Sequence, residues 1–360
     1  MRPCFKRGQR DDLETLHPAY FALVMATGIV ALAAHLNGIA VVPKVLFWLN
    51  ALFFAGLVAA TALRGWRYPA AFAADLRSHS RGVGFFTMVA ASGVFGGQLV
   101  LQMGATGPAI FFWIVAGVLW LVVTYGVLAA LTVKSDKPSF ADGLNSCWLV
   151  SVVATQSLSI LTVLILPSGV PADLQEPLMF GALVLWLGGG ALYLWLIALI
   201  FLRYTFLSMS AEDLTPPYWI NMGAVAISTL AGARLLSQSA LSPIVGDLTS
   251  FVAGLTLFFW AIGTWWIPML VALGVWRYLI RGVPFAYDPL YWGGVFPLGM
   301  YSVCTYRLAE VLPAPFLMPI STLFMLVALA AWTAALLGLL DSLLASRRAL
   351  DLAAGVDDAK

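Results

Sequence analysis

One short pattern recurs five times along the chain, and each copy opens an apolar run long enough to cross a membrane. Each copy is an aromatic residue followed by a second large apolar residue, and the copies begin at Tyr20, Phe85, Trp148, Tyr218 and Tyr291. Successive copies lie 63 to 73 residues apart, which leaves room for one helix of the pattern, a second helix and two loops. Five copies of a two-helix unit predict ten helices with pseudo-five-fold symmetry around a central pore.

The composition places these helices in a lipid bilayer. The chain is 61% hydrophobic and 10% charged, whereas soluble domains carry about 25% charged residues. Uncharged stretches of about 20 residues indicate spanning helices, which satisfy their own backbone hydrogen bonds in lipid. Ten such stretches are predicted, at 17–37, 42–63, 82–104, 109–133, 144–167, 177–202, 216–238, 248–276, 289–312 and 315–340. The predicted fold class is therefore an all-α integral membrane protein made of five helical hairpins.

The same boundaries predict one membrane domain over residues 17–345. A short tail precedes it (1–16) and another follows it (346–360). With ten helices, both tails lie on one side of the membrane, and that side holds 16 of the 19 basic residues. The positive-inside rule predicts that both termini are cytoplasmic. The expected location is the inner membrane.

The predicted helices alternate in character. Odd-numbered helices carry small and hydroxylated residues, whereas even-numbered helices are mostly Leu, Val, Ile, Phe and Trp. Because polar groups in a membrane face protein or water, we expect an inner ring of odd helices surrounded by even ones. The alternative is that small residues only allow close helix packing. The pore-lining candidates on the odd helices are Met25, Thr27, Ala90, Ser92, Val153, Thr155, Gly223 and Gly299.

The charges favour a path for anions. All 17 acidic residues fall in predicted loops or at helix ends, whereas cation channels and proton pumps place acidic groups along the path. Arg234 and Arg307 each follow the first aromatic of their copy by sixteen residues. A shared register predicts a positive rim at the outer mouth that attracts anions. The alternative is that both side chains extend to the lipid headgroups.

One helix breaks the repeat at the middle of the membrane. Helix 9 presents Phe296 followed by Pro297, where the other four helices present Met, Ala, Val or Gly followed by Ala. Proline removes a helical hydrogen bond, and a bend there would move the ring of Phe296 toward the axis. An apolar ring at the axis blocks ions by its bulk and by dewetting. The alternative is that Phe296 packs in the protein core.

The sequence offers no recognisable catalytic or metal-binding group. The three histidines are scattered, the acids are peripheral and no pair of cysteines has metal-ligand spacing. We therefore expect neither an enzyme nor a bound cofactor or metal, and no nucleic-acid partner.

The first span, HPAYFALVMATGIVAL, and helix 9, with its W-x-x-x-F-P motif at Trp292, Phe296 and Pro297, resemble the tellurite-resistance/C4-dicarboxylate transporter (TDT) family. This family includes the TehA proteins and the plant slow-type anion channels. The resemblance implies homotrimers with one pore per protomer, a pore lined by odd-numbered helices, and a pore gate at Phe296. It implies small anions as permeants: chloride or nitrate for a passive channel or uniporter, or malate-like C4-dicarboxylates for a secondary transporter, which is the alternative function.

Overall fold

The protein is all-helical over the residues that the computed structural model describes, 12–357, with side chains for 13–345. Residues 1–11 of the predicted N-terminal tail and the last three residues of the C-terminal tail lie outside this range. Ten long helices follow one another, and we number them α1 (Ala22–Leu36), α2 (Val42–Arg67), α3 (Phe86–Met103), α4 (Thr106–Val133), α5 (Val150–Gly169), α6 (Ala172–Phe206), α7 (Ile220–Ser237), α8 (Thr249–Val275), α9 (Trp292–Val311) and α10 (Met318–Asp357).

The prediction of a helical membrane fold is confirmed. Among the described residues, nine helices are long and apolar enough to cross a membrane. The tenth long helix, α9, is less apolar and carries Arg307 and Glu310 near its end. The helices also differ from the predicted ranges at their ends. Helix α6 extends further in both directions than 177–202, and α10 continues through most of the predicted C-terminal tail.

Burial divides the long helices into two groups. The spans that contain α1, α3, α5 and α7 are 78 to 94% buried within the protein, whereas those of α2, α4, α6, α8 and α10 are only 17 to 39% buried. Most side chains of α9 between Trp292 and Ala309 are buried as well. The odd helices therefore form the inside of the bundle, and the apolar even helices provide the surface that contacts lipid.

The five odd helices close into a ring. Helix α1 packs against α3, α3 against α5, α5 against α7, α7 against α9, and α9 returns to α1. Each even helix packs on the odd helix of its own hairpin and also contacts the odd helix of the next hairpin. The chain thus forms an inner ring of five helices and an outer ring of five.

Polar side chains connect each outer helix to the inner helix of the next hairpin. In four of the five junctions a tryptophan indole N–H of the outer helix donates to the inner helix. These bonds are Trp332 to Thr27 Oγ1 (2.9 Å), Trp120 to Thr155 Oγ1 (2.8 Å), Trp186 to the Ser228 carbonyl (2.8 Å) and Trp260 to Thr305 Oγ1 (3.0 Å). In the fifth, Asn50 Nδ2 donates to Gln98 Oε1 at 2.7 Å. A buried indole needs such an acceptor, so these bonds fix how the outer helices sit on the inner ring.

The recurring aromatic pattern has a structural counterpart. Each inner helix begins with a short 3₁₀ turn that ends within the aromatic pair; these turns are Pro18–Phe21, Gly82–Phe85, Ser146–Leu149, Pro216–Trp219 and Pro289–Tyr291. Proline is tolerated at a first helical position because its missing N–H would have no partner there. The side chains of His17, Asn145 and Asp288 accept a backbone N–H of the following turn. The five turns therefore mark equivalent starting points of the inner helices.

Candidate functional site

Two cavities lie inside the inner ring, one after the other along the inner helices. We call the one near the 3₁₀ turns the proximal cavity and the one near the opposite helix ends the distal cavity. Each has a volume of about 30 Å³, room for about two water molecules. Residues at all five helices of the inner ring line both cavities.

The proximal cavity is lined by equivalent positions of the five copies. One set directly precedes the first aromatic residue of each copy: Ala19, Gly84, Cys147, Pro217 and Leu290. A second set lies two residues after that aromatic: Ala22, Thr87, Val150, Ile220 and Gly293. The two sets are three residues apart, which places them on the same face of a helix.

The distal cavity repeats this regularity further along the helices. One set lies nine residues after the first aromatic: Ile29, Val94, Ser157, Ile227 and Met300. The other lies twelve residues after it: Leu32, Gly97, Ile160, Leu230 and Val303. One continuous stripe of each inner helix, advancing by three or four residues, therefore faces both cavities.

An apolar septum separates the two cavities. Five residues after the first aromatic, Met25, Val153 and Phe296 line the proximal cavity, and their side chains are 3%, 0% and 1% exposed. The next lining position is nine residues after the aromatic, about 6 Å further along the helix. Phe296, the predicted gate, has the largest side chain of this layer.

Two other candidates share the register of this layer and make a different contribution. Ala90 is fully buried and lies outside both lining sets. A Cβ added to Gly223 would come within 2.7 Å of Pro297 Cγ, so Gly223 lets α7 approach α9. The ring of Pro297 therefore lies against Gly223 of α7, and Pro297 itself lies within α9, which continues without a break.

Thr27 and Thr155, predicted to line the pore, lie outside the lining residues of both cavities. Both follow the first aromatic by seven residues, and at 3.6 residues per turn this is about half a turn away from the lining face. Their hydroxyls instead accept indole N–H groups of the outer ring. Ser92 has the same register, and its hydroxyl donates to the Met88 carbonyl at 2.9 Å.

Gly299 belongs to a contact between helices. A Cβ at this position would lie 3.0 Å from Ile29 Cγ2 and 3.3 Å from Val30 Cγ2. Gly299 therefore lets α9 pack closely on α1. At Gly299 and at Gly223, the small residue serves close helix packing, which was the alternative interpretation of these residues.

The two predicted rim arginines differ. Arg234 lines the distal cavity, and its Nε, like that of Arg307, is buried without a hydrogen-bond partner among the described residues. Arg307 lies outside that lining set, and its guanidinium pairs with Glu310 at 2.7 Å. The two arginines are therefore not equivalent, because the charge of Arg307 is paired with a carboxylate one turn away. Among the described lining residues of both cavities, Arg234 has the one ionised side chain.

A buried ion cluster supports the proximal end of the ring. Asp75 pairs with Arg64 at 2.7 Å and with Arg81 at 2.6 Å. Arg81 also donates to the carbonyls of Thr15 and Leu16, and Arg64 donates to that of Glu14. The cluster thereby holds the segment before α1 against the α2–α3 connection.

His17 lines the proximal cavity beside this cluster. Its Nδ1 accepts the Ala19 N–H at 3.1 Å. Burial, followed by the positive charge of Arg81, lowers the pKa of His17 from 6.5 to about 4. The imidazole is therefore neutral at pH 7, with its proton on Nε2.

The remaining cavity chemistry is sparse. The polar groups of the lining sets include the hydroxyls of Thr87 and Ser157 and the thiol of Cys147. Over the described part of the chain, no group of three or more His, Cys, Asp or Glu residues is placed to hold a metal ion. The walls can accommodate a small solute with few polar contacts. Sequence reasoning missed the distal lining residues, although counting a constant offset from each aromatic pair would have found them.

Comparison with known proteins agrees with this architecture. The model of the SLAC1 family, described as voltage-dependent anion channel, matches residues 15–340. An uncharacterised membrane protein of Mycobacterium tuberculosis is 40% identical over 155 residues, 43% of this chain and 78% of its own length. An uncharacterised transporter of Methanocaldococcus jannaschii is 26% identical, covering 84% of this chain and 86% of its own. The sulfite efflux pump SSU1 of Arthroderma benhamiae is 25% identical, covering 91% of each chain.

Proposed function

Because the chain belongs to the SLAC1 voltage-dependent anion channel family, we propose that it is a passive anion channel or uniporter of the inner membrane. Its path runs through the inner ring, and both termini are cytoplasmic, as the distribution of basic residues favours. The protein acts as a homotrimer with one pore in each protomer, which the family resemblance implies.

The observation that carries this proposal is the pair of cavities on one axis. Equivalent positions of all five inner helices line each cavity, so the pseudo-symmetry of the sequence converges on a single path. A bundle that only packed its helices would not need the same register to face a cavity in every copy. Among the described residues, the apolar septum is the layer that lies between the two sets of lining residues.

We assign the gate to Phe296. Its ring is 1% exposed and lies at the septum, beside the fully or nearly fully buried Met25 and Val153. An ion in this layer would lose its water without gaining hydrogen-bond donors, which is costly. The septum is therefore a barrier until the phenyl ring moves or the layer widens.

The preference for anions rests on the distribution of charge. The described lining residues include no carboxylate, and Arg234 adds a positive charge at the distal cavity. Its Nε lacks a protein partner, so the guanidinium can donate to an anion that enters. A cation in the same place would meet an unfavourable field.

The alternative function, a secondary transporter of C4-dicarboxylates, has less support in the geometry. Carriers usually bind substrate at interrupted helices. Here α9 is continuous from Trp292 to Val311. A Cβ at Gly294 would lie 3.3 Å from the Pro216 carbonyl oxygen, so this glycine serves helix packing. A small oxyanion fits the narrow cavities better than a dicarboxylate does. The name of the SSU1 relatives makes sulfite the first oxyanion to test.

Anion flux into liposomes tests the proposal. The purified protein and the Phe296→Ala variant are compared with chloride, nitrate, sulfite and malate. We expect Phe296→Ala to raise flux of the small anions about tenfold or more, which corresponds to a barrier lowered by about 1.4 kcal/mol. Phe180→Ala is the matched control, because this ring lies on the outer helix α6 and is 46% exposed.

Retained anion selectivity in Phe296→Ala separates an opened gate from a nonspecific leak. Equal flux in Phe296→Ala and the wild type, with both proteins folded, would contradict the gate assignment. Saturable counterflow of labelled malate would favour the carrier instead.

Arg234 is tested by reversal potentials in a salt gradient. Arg234→Gln should weaken the anion preference, because it removes the charge at the distal cavity. Arg307→Gln is the control, and we expect a smaller change because its guanidinium already pairs with Glu310. Equal effects of the two substitutions would refute the separate role of Arg234.

A further inference from the structure

Arg203 is a buried cation whose side chain has no partner among the described residues. It lies near the end of α6 and is only 6% exposed. Its Nε is buried and makes no hydrogen bond. Within the described part of the chain, its guanidinium takes part in no hydrogen bond, ion pair or cation–π contact. A buried charge of this kind is costly unless an anion or several acceptors satisfy it.

The nearby groups are engaged elsewhere. The carboxylate of Asp213 accepts the N–H and hydroxyl of Ser210, at 2.9 and 3.0 Å. The hydroxyl of Tyr204 lies 2.7 Å from Ser146 Oγ and accepts from Asn221 Nδ2 at 3.0 Å. Arg203 acts electrostatically on Tyr204 and Tyr218, whose hydroxyl groups have other hydrogen-bond partners.

A second arginine lies at the same end of the bundle. Arg277, just after α8, donates to the carbonyl of Ala211 in the α6–α7 connection, and its Nε is also buried without a partner. Arg203 precedes this connection and Arg277 packs on it, so two incompletely satisfied guanidinium groups flank one segment. This end of the bundle also carries the 3₁₀ turns and most of the basic residues.

We propose that Arg203 is the centre of a binding site for a phosphate group at this membrane surface, assisted by Arg277. A guanidinium presents paired N–H donors that match phosphate oxygens. Basic pockets between membrane helices on the cytoplasmic side bind anionic headgroups. The phosphate comes from an anionic phospholipid or from free phosphate in solution. The site lies outside the inner ring, so it is independent of the proposed anion path.

Thermal unfolding of the purified full-length protein in neutral detergent tests this site. Three additions are compared: phosphatidylglycerol, the zwitterionic phosphatidylcholine and inorganic phosphate. The variants are Arg203→Gln, which removes the charge, and Arg203→Lys, which keeps the charge but loses the paired donors. The control is Arg281→Gln, because Arg281 is an exposed arginine at the same end of the bundle.

Phosphatidylglycerol should raise the Tm of the wild type and of Arg281→Gln, with a smaller rise for Arg203→Lys and none for Arg203→Gln. A rise with inorganic phosphate alone, lost in Arg203→Gln, would assign the site to a soluble phosphate and exclude the lipid. Equal responses of wild type and Arg203→Gln, or equal effects of the two lipids, would overturn the proposal.

Native mass spectrometry of the wild type and Arg203→Lys keeps the test valid if Arg203→Gln does not fold. The wild type should retain a phospholipid or phosphate adduct that Arg203→Lys retains less well. Identical adducts on the two proteins would overturn the proposal.

Discussion

Replacing Asp75 by Asn should destabilise the protein far more than any loss of a single exposed ion pair. Asp75 is the one carboxylate of the cluster with Arg64 and Arg81, and the two side chains of the more buried pair, Arg64 and Asp75, are 4% and 10% exposed. Asn keeps the shape but removes the negative charge. Two guanidinium groups then remain in a poorly solvated site without a counter-charge, and their acceptors are neutral oxygens.

The expected magnitude follows from this burial. Breaking a buried ion pair by removing one partner costs about 3–5 kcal/mol, because the remaining charge is uncompensated. The matched control is Glu310→Gln, which breaks the pair with Arg307, where the Glu310 side chain is 41% exposed. Exposed pairs of this kind contribute about 0–1 kcal/mol.

The assay is thermal unfolding of both variants in one detergent, followed by tryptophan fluorescence. We expect Asp75→Asn to lower the Tm by roughly 5 °C or more and Glu310→Gln by far less. Adding Arg64→Met to Asp75→Asn should restore part of the loss, since one uncompensated charge disappears. If Asp75→Asn were as mild as Glu310→Gln, the cluster would not hold the segment before α1 in place.

Three further outcomes follow from the geometry. Modification of Cys147 by a small thiol-reactive reagent should reduce anion flux, because this side chain lines the proximal cavity. The Cys147→Ser variant should not respond to the reagent. A loss of flux that persists in this variant would contradict the position of Cys147 in the cavity. The pKa of His17 is about 4 in the folded protein and 6.5 in the unfolded chain. Between these two pH values the unfolded chain binds a proton that the folded protein does not. The free energy of unfolding should therefore fall by about 3 kcal/mol as the pH drops from 6.5 to 4. His17→Asn keeps a cap but cannot titrate, so denaturation at pH 4.5 and 7 should differ less for it than for the wild type. Gly93→Ala should lower the Tm, because the added Cβ would lie 2.8 Å from Ser157 Cβ. Gly117→Ala is the control, because the space around Gly117 is open, and it should leave the Tm unchanged or raise it slightly. Similar Tm values for the two variants would refute the close approach of α3 to α5.

The sequence predicts the large features of this fold because they depend on repeated, strong signals. The aromatic pairs recur with nearly constant spacing, and each one marks a 3₁₀ turn at the start of an inner helix. The difference in polarity between odd and even helices predicts which ring each helix joins, because lipid accepts only the apolar ones. Phe296 was identifiable for the same reason, since it interrupts an otherwise small-residue register.

The side-chain directions were harder to predict. Hydroxyl groups on inner helices suggest a polar pore, yet Thr27 and Thr155 face the outer ring and accept tryptophan N–H groups. The competing factor is that an indole N–H of the outer ring also needs a partner in lipid. The sequence shows the register of Arg307, whereas its ion pair with Glu310 depends on the rotamers of the two side chains.

The same competition explains why the path is apolar. Because the hydroxyls of the inner ring hold the outer ring, the stripe that remains for the axis is mostly aliphatic, and Ile29, Ile227 and Met300 face the distal cavity. Such a wall offers few donors to replace the water of a permeating ion. Weakly hydrated anions would therefore cross the septum more easily than strongly hydrated ones.

A charge at Arg234 can draw an anion into the distal cavity, but it cannot replace hydration at Phe296, one full helical turn or more away. Selection for negative charge and control of passage thus depend on different layers of the same ring, so substitutions at Arg234 and Phe296 should change selectivity and rate separately.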